Sequence, residues 1–227
     1  MTIVPHFNFI NYMRYGVYCF VLIGFSLSVA GSYDDFFVAV KRDDAATVQA
    51  LLERGFDPNT RNPDHEHGLA LAIREPSLKV AALLVASPQV DPEARNLNDE
   101  SLLMLASLNG LLSLCEQLIA KGADVNKPGW TPLHYAATHG HTAVINLLLD
   151  HHAYIDAASP NGSTPLMMAA LYGTPAAVKL LLEGGADPML KNDQGLNAID
   201  FANRGQRTES AELIAAFVRS LQPAGKW

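Results

Sequence analysis

Apolar residues between positions 129 and 150 recur with the spacing of two short amphipathic helices. The stretch reads GWTPLHYAATHGHTAVINLLLD, with Thr131 where a helix N-cap is expected and Pro132 at the first helical position. Gly140 ends the first helix, and Thr142 is a candidate cap for a second helix that is rich in branched aliphatic residues. Helices this short are marginally stable alone, because nucleation is costly. The pattern therefore predicts that the segment packs against neighbouring elements.

The same pattern recurs along the chain with a period of about 33 residues. An alanine marks each copy, at Ala39, Ala72, Ala106, Ala136, Ala169 and Ala202, with spacings of 33, 34, 30, 33 and 33 residues. Twelve residues after each alanine comes a branched aliphatic residue, at Leu51, Leu84, Leu118, Leu148, Leu181 and Ile214. A fixed period of this length is typical of solenoid repeats, in which each unit buries its apolar faces against its neighbours.

The segments TPLHYAATHGHTAVINLLLD and TPLMMAALYGTPAAVKLLLEGGAD resemble ankyrin repeats, and the resemblance covers roughly residues 33–221. The cap motif, the alanine, the loop glycine and the paired leucines recur together. The resemblance implies an all-α solenoid of about six stacked helix–turn–helix units with projecting loops. The expected repeat domain covers residues 31–227, with units at about 33–62, 63–96, 97–127, 128–160, 161–193 and 194–221. The first and last units diverge, as terminal repeats with one exposed face do.

The connection before the fourth unit departs from the period. The segment KGADVNKPGWTPLH is three residues shorter than the corresponding segment GGADPMLKNDQGLNAID. We therefore expect a truncated projecting loop there, with a tight turn at Pro128-Gly129.

The first thirty residues form a separate segment. Arg14 is their only charged residue, and the uncharged run YGVYCFVLIGFSLSVA that follows it ends in Ser28-Val29-Ala30, small residues of the kind that a signal peptidase recognises. Sixteen residues are short of the ~20 that span a bilayer. We expect residues 1–30 to be a cleaved signal peptide, with an uncleaved membrane anchor as the alternative. Met13 is an alternative start to Met1.

Charge and cysteine content narrow the functional classes. The chain has 16 Lys and Arg residues against 23 Asp and Glu, a net charge of −7, and no basic cluster, so we expect no nucleic-acid partner. Cleavage after Ala30 would leave Cys115 as the single cysteine, which excludes an internal disulfide. Cys115 takes a position that aliphatic residues fill in other units, and we interpret it as a core residue rather than a redox residue.

Histidine is the one reactive residue type that is concentrated in a single region. The fourth unit contains His134, His139, His141, His151 and His152, and an upstream loop contains His65 and His67. Their positions spread along the unit instead of converging, so we interpret them as structural or solvated and expect no metal site, cofactor or catalytic residue. The family resemblance implies that His134 holds the loop by hydrogen bonds. An enzyme or metal-binding protein that uses the histidine-rich fourth unit is the alternative.

Ankyrin-like stacks bind proteins on a concave surface, which is formed by the loop tips and the exposed side of the first helices. The corresponding positions here are the residue before each cap and the pair before the inter-helix glycine. In the middle units these candidates are Trp130, Tyr172, Leu171, Leu108, Asn109, Thr138 and His139. Apolar residues flanked by charged units are typical of a binding hot spot within a polar rim. The alternative for Trp130 is that it only covers the shortened loop.

The sequence thus predicts a non-enzymatic module that binds a protein partner on its concave face, as a scaffold or a protector. We expect a monomer that is exported to the periplasm, with an inner-membrane-anchored protein as the alternative. The chain resembles small exported bacterial ankyrin-repeat proteins, and this resemblance implies a setting in periplasmic stress or peroxide defence.

The mature protein should begin near Gly31, because the small residues Ser28-Val29-Ala30 end an apolar run that is too short to span a bilayer well. N-terminal sequencing of protein purified from its native host measures this directly. Recovery of the intact chain in the membrane fraction would instead establish an uncleaved anchor.

Overall fold

The computed structural model describes residues 31–221, and the predicted signal segment at 1–30 lies outside the described residues. The described residues form twelve α-helices and no β-strand beyond two isolated bridges, Arg61 with His67 and Arg95 with Ser101. The predicted all-α repeat fold is confirmed. Among these helices, none combines the length and hydrophobicity that crossing a membrane requires.

The helices follow one another in six pairs, which we number as units one to six. They are α1 (31–41), α2 (Ala45–Glu53), α3 (Gly68–Arg74), α4 (Leu78–Ala86), α5 (Leu102–Leu108), α6 (Leu112–Ala120), α7 (Pro132–His139), α8 (Thr142–Asp150), α9 (Pro165–Leu171), α10 (Pro175–Glu183), α11 (Ala198–Arg204) and α12 (Thr208–Ser220). Short turns join the two helices of a pair, and longer loops join successive pairs.

The pairs stack into two helical layers. The inner layer is the series α3, α5, α7, α9 and α11, in which each helix contacts the next, and the outer layer is the corresponding series from α2 to α12. The six marker alanines lie at 0–3% exposure, and the six aliphatic residues twelve positions later lie at 0–4%. The small alanines allow neighbouring inner helices to approach each other closely, and the aliphatic side chains of the outer helices fill the space between units.

Local sequence explains where the inner helices begin and end. The Thr131 hydroxyl accepts a hydrogen bond from the backbone N–H of His134, and Pro132 is the first residue of α7, as predicted. Gly140 ends α7 in the left-handed conformation, with a φ of 70°. The prediction that Thr142 caps α8 is wrong. Because the turn at Gly140 is so tight, Thr142 is already helical and His141 is the N-cap.

A ladder of side-chain hydrogen bonds joins the loops of successive units. In each step a side-chain oxygen accepts the backbone N–H of a residue in the next unit. The four steps are Asn59 with Asp91 at 2.8 Å, Glu93 with Asp124 at 2.6 Å, Asn126 with Tyr154 at 2.8 Å and Asp156 with Asp187 at 3.1 Å. These bonds fix the spacing of the loops, in addition to the packing of the helices.

The shortened loop before α7 is tied to the preceding unit by a lysine. The Lys127 ammonium lies 2.5 Å from the Asp99 carboxylate and donates to the Pro128 carbonyl oxygen at 3.3 Å. The chain bends at residues 128–130, and Gly129 takes a φ of 84°, which favours glycine. The loop therefore delivers Trp130 to the start of α7 in a defined position.

Candidate protein-binding site

A groove of about 210 Å³ lies on the inner-helix layer of the middle units. Its lining residues are Leu108, Trp130, His134, Tyr135, Thr138 and Met168. Leu108 comes from α5, Trp130 from the loop before α7, and Met168 from α9, whereas the other three residues lie on α7. Three successive units build this one groove, so its shape depends on how the units stack.

The half-buried Trp130 ring rests on the imidazole of His134. The two ring centroids are 5.2 Å apart and the planes meet at 77°, an edge-to-face arrangement. His134 itself is fully buried, and its Nδ1 atom accepts the backbone N–H of Thr131 at 3.2 Å. Its Nε2 atom therefore carries the proton and donates to the Ser163 carbonyl oxygen, 2.9 Å away in the next unit. His134 thus supports Trp130 and joins two units.

Burial lowers the pKa of His134 to about 4, although hydrogen bonds to backbone groups oppose the shift. The neutral imidazole is therefore the form present at neutral pH. The hydrogen-bonding role that the family resemblance implied for His134 matches these contacts.

Tyr135 forms a second wall of the groove and connects it to a carboxylate. Its hydroxyl donates to Glu100 Oε1 at 2.8 Å. Burial, with the hydrogen bond and charge of Glu100, raises the pKa of Tyr135 above its usual value, so the phenol stays protonated. Glu100 is also held by Asn96, whose amide nitrogen donates to Glu100 Oε2 at 2.6 Å.

The structure divides the seven predicted binding residues between two areas. Leu108, Trp130 and Thr138 line the groove. The other four are not among its lining residues and lie at the C-terminal ends of the inner helices: Asn109, His139, Leu171 and Tyr172. Leu108 and Thr138 lie in the last turns of α5 and α7, so the groove extends from Trp130 to the neighbours of Asn109 and His139.

The residues at the helix ends differ in how firmly they are held. Tyr172 is 55% exposed and follows the last residue of α9, whereas Leu171 packs partly against the core. The Asn109 amide donates to the Leu105 carbonyl oxygen at 2.9 Å. The exposed His139 ring stacks on His141, with centroids 5.9 Å apart. Tyr172 is thus the large apolar side chain that this area offers to solvent.

Sequence reasoning did not identify Tyr135 and Met168 as lining residues. Both directly precede a marker alanine, and Leu105 holds the same position in the third unit. All three are half-buried in the structure. A comparison of this repeat position across the middle units would have revealed them, because it combines apolar residues with a place at the edge of the core.

The other reactive residues are occupied with structural contacts. Within residues 31–221, no three His, Cys, Asp or Glu side chains lie close enough together to hold a metal ion. His141 Nε2 lies 3.0 Å from the Leu108 carbonyl oxygen. Burial raises the pKa of the Cys115 thiol to about 11, so the reactive thiolate is disfavoured.

The family model described as ankyrin repeats matches the chain in three overlapping copies, over residues 36–128, 69–160 and 103–192. The chain belongs to the ankyrin-repeat family. Among curated ankyrin-repeat relatives, it is 29% identical to the ankyrin repeat and KH domain-containing protein mask-1 of Caenorhabditis elegans, over 81% of this chain and 8% of that protein. It is 35% identical to the mouse NF-kappa-B inhibitor alpha, over 39% of this chain and 30% of that protein. The chain therefore spans a minor part of these relatives.

Two solved bacterial structures share the ankyrin-repeat stack. One comes from the complex of a Bdellovibrio bacteriovorus predatory endopeptidase with an immunity protein, with a TM-score of 0.70, 28% identity, and coverage of 80% of this chain and 97% of that chain. The other is an ankyrin repeat domain from Acinetobacter baumannii, with a TM-score of 0.68, 24% identity, and coverage of 81% and 97%. At 24% identity, the similarity to the Acinetobacter structure shows a shared fold and nothing further.

The stability of this ankyrin-repeat stack should fall as the pH is lowered from about 6.5 to about 4, in part through His134. The folded-state pKa lies below the ordinary value, so the unfolded chain binds the proton first as the pH falls. The contribution of His134 to the free energy of unfolding is complete above pH 6.5 and is lost near pH 4. The shift in its pKa corresponds to about 3 kcal/mol.

Urea unfolding of the wild type and His134→Gln between pH 7 and pH 4 measures this contribution. The variant should lose less stability than the wild type over that interval. His151→Gln is the matched control, because it makes the same substitution at an exposed position outside the core. If the free energy of unfolding changes with pH in the same way for the wild type and His134→Gln, His134 does not contribute to the pH dependence.

Proposed function

We propose that this ankyrin-repeat protein binds a protein partner through the groove around Trp130, with Tyr172 at the edge of the contact. Ankyrin repeats are protein-interaction modules, and the groove on the inner-helix layer supports the proposal because it contains a partly exposed tryptophan. The observation that carries the proposal is the Trp130 ring, half-buried in a groove with Leu108 and Met168. Tryptophan and tyrosine are enriched among the hot spots of protein interfaces, which lie in well-packed pockets.

The rigidity of the groove supports the same proposal. The Thr138 hydroxyl donates to the His134 carbonyl oxygen at 2.8 Å, and Tyr135 is fixed by Glu100. Within residues 31–221, every buried side-chain nitrogen or oxygen has a hydrogen-bond partner. A surface that is already ordered loses little conformational entropy on binding, so more of the contact energy appears as affinity.

The proposed biological role is that of an exported scaffold or protector located in the periplasm. The apolar segment ending in Ser28-Val29-Ala30 supports export, with an inner-membrane anchor as the alternative. The Bdellovibrio neighbour supports a protecting role, since its structure contains an immunity protein in complex with an endopeptidase. By analogy, we propose that the present protein holds a partner protein and limits or protects its activity, with periplasmic stress or peroxide defence as the setting.

A non-enzymatic role suits the histidines of the fourth unit better than the alternative of a catalytic or metal site. His134 is buried, neutral and engaged at both ring nitrogens. His139 and His141 stack on each other, and His141 also contacts the third unit. These side chains lack the convergence on one point that a reacting group or a metal ion would need.

Trp130→Ala should weaken partner binding by about 2 kcal/mol or more, because it removes the largest anchor of the groove. The partner is first captured from the exported fraction of the native host and identified by mass spectrometry. Calorimetry with the purified partner then measures the affinity of Trp130→Ala, of Tyr172→Ala and of the double variant. Circular dichroism of each variant confirms that the stack is folded.

Tyr154 provides the matched control for these substitutions. It is an aromatic residue at 68% exposure that lies in the loop after α8, outside the groove. Tyr154→Ala should retain wild-type affinity, since the backbone N–H that joins the hydrogen-bond ladder is preserved. Unchanged affinity in both Trp130→Ala and Tyr172→Ala would reject the proposed binding surface.

A further inference from the structure

Two glutamates hold the same position in successive units and have the same local support. Glu66 directly precedes the N-cap of α3, and Glu100 directly precedes the N-cap of α5. An asparagine four residues earlier accepts the backbone N–H of each glutamate, Asn62 at 2.8 Å and Asn96 at 3.0 Å. The amide nitrogen of the same asparagine donates to the carboxylate. The two carboxylates are therefore presented in the same way.

The two glutamates differ in what binds the remaining carboxylate oxygen. Glu66 Oε1 lies 2.6 Å from Nη1 of Arg74, the last residue of α3. The residue at the equivalent position of the third unit, 34 residues later, is Leu108, which lines the groove and carries no charge. Among residues 31–221, the donor to Glu100 Oε1 is the neutral hydroxyl of Tyr135.

Arg95 and Lys127 both pair with Asp99, the residue before Glu100, and not with Glu100. The Arg95 guanidinium lies 3.0 Å from an oxygen of Asp99, and the Lys127 ammonium lies 2.5 Å from the other oxygen of that carboxylate. Among the ion pairs of residues 31–221, none includes Glu100. The carboxylate beside the groove thus lacks the cation that its counterpart has one unit earlier.

We propose that the groove binds an arginine side chain of the partner protein and that Glu100 pairs with its guanidinium. This inference rests on the proposed function, which makes the groove the binding site. The partner arginine would take the place beside Glu100 that Arg74 takes beside Glu66, where a guanidinium lies at hydrogen-bonding distance from a carboxylate that is presented in the same way.

The groove also suits the rest of an arginine side chain. The aliphatic part would lie along Leu108 and Met168, and the planar head would lie near the rings of Trp130 and Tyr135. Guanidinium groups stack on aromatic faces and bind carboxylates through two parallel hydrogen bonds, which a lysine ammonium cannot reproduce. The net charge of −7 favours the approach of a basic partner.

The test uses two small probes with the purified protein. N-acetyl-arginine methylamide carries the proposed group, and N-acetyl-citrulline methylamide has nearly the same shape without the charge. Titration is followed by NMR at the indole N–H of Trp130 and the backbone N–H of Glu100. We expect the arginine probe to shift both resonances and to bind about fivefold or more tightly than the citrulline probe.

Two substitutions and one control test the role of Glu100. Glu100→Gln keeps an acceptor for Tyr135 but removes the charge, and it should abolish the preference for arginine over citrulline. Leu108→Arg recreates the Glu66–Arg74 pair within the protein, and it should exclude the arginine probe by occupying Glu100 itself. Glu66→Gln is the matched control and should bind the arginine probe like the wild type, because Glu66 is already paired.

Equal binding of the two probes, or an unchanged arginine preference in Glu100→Gln, would overturn this inference. Its failure is distinguishable from failure of the proposed function. If Trp130→Ala weakens binding of the captured partner while Glu100→Gln does not, the groove is the binding site and the arginine assignment is wrong. If Trp130→Ala, Tyr172→Ala and Glu100→Gln all leave partner binding unchanged, both proposals fail.

Discussion

Inner helices of neighbouring units pack closely because a small, buried residue lies at each contact. Ala136 in α7 has no exposed surface, since α5 and α9 cover it from its two sides. The end of α9 also lies close to α7, because a Cβ atom added to Gly173 would lie 2.5 Å from the Ala137 carbonyl oxygen. Helices of seven to nine residues are marginal in isolation. The stack therefore supplies the stability that no single unit has.

The candidate binding site is a consequence of this stacking. Leu108, Trp130 and Met168 belong to three different units, and only their alignment creates the groove. His134 serves both purposes, because it supports the Trp130 ring and donates to the Ser163 carbonyl oxygen in the next unit. A change in the spacing of the units would therefore alter the binding surface as well as the free energy of unfolding.

The repeat pattern predicted the fold because its signals are local and periodic. The marker alanines, the Thr131-Pro132 cap and Gly140 each act through backbone geometry or burial that their own residue type determines. The binding surface was less predictable, because it depends on side chains from different units. Sequence position alone could not show that Trp130 lines a groove with Leu108 and Met168, whereas Tyr172 is not among its lining residues. The hydrogen bond between Tyr135 and Glu100 could not be predicted from the sequence, since the two residues lie 35 positions apart.

The dependence of each unit on its neighbours is tested most directly by native-state hydrogen exchange of Leu148→Ala. Leu148 is fully buried in α8, and its truncation should cost about 2–5 kcal/mol. If stacking supplies the stability, amide protection should fall in α6 and α10 as well as in α7 and α8. Leu97→Ala, at an exposed loop position, is the control and should leave protection unchanged. Loss of protection confined to α7 and α8 would contradict the account.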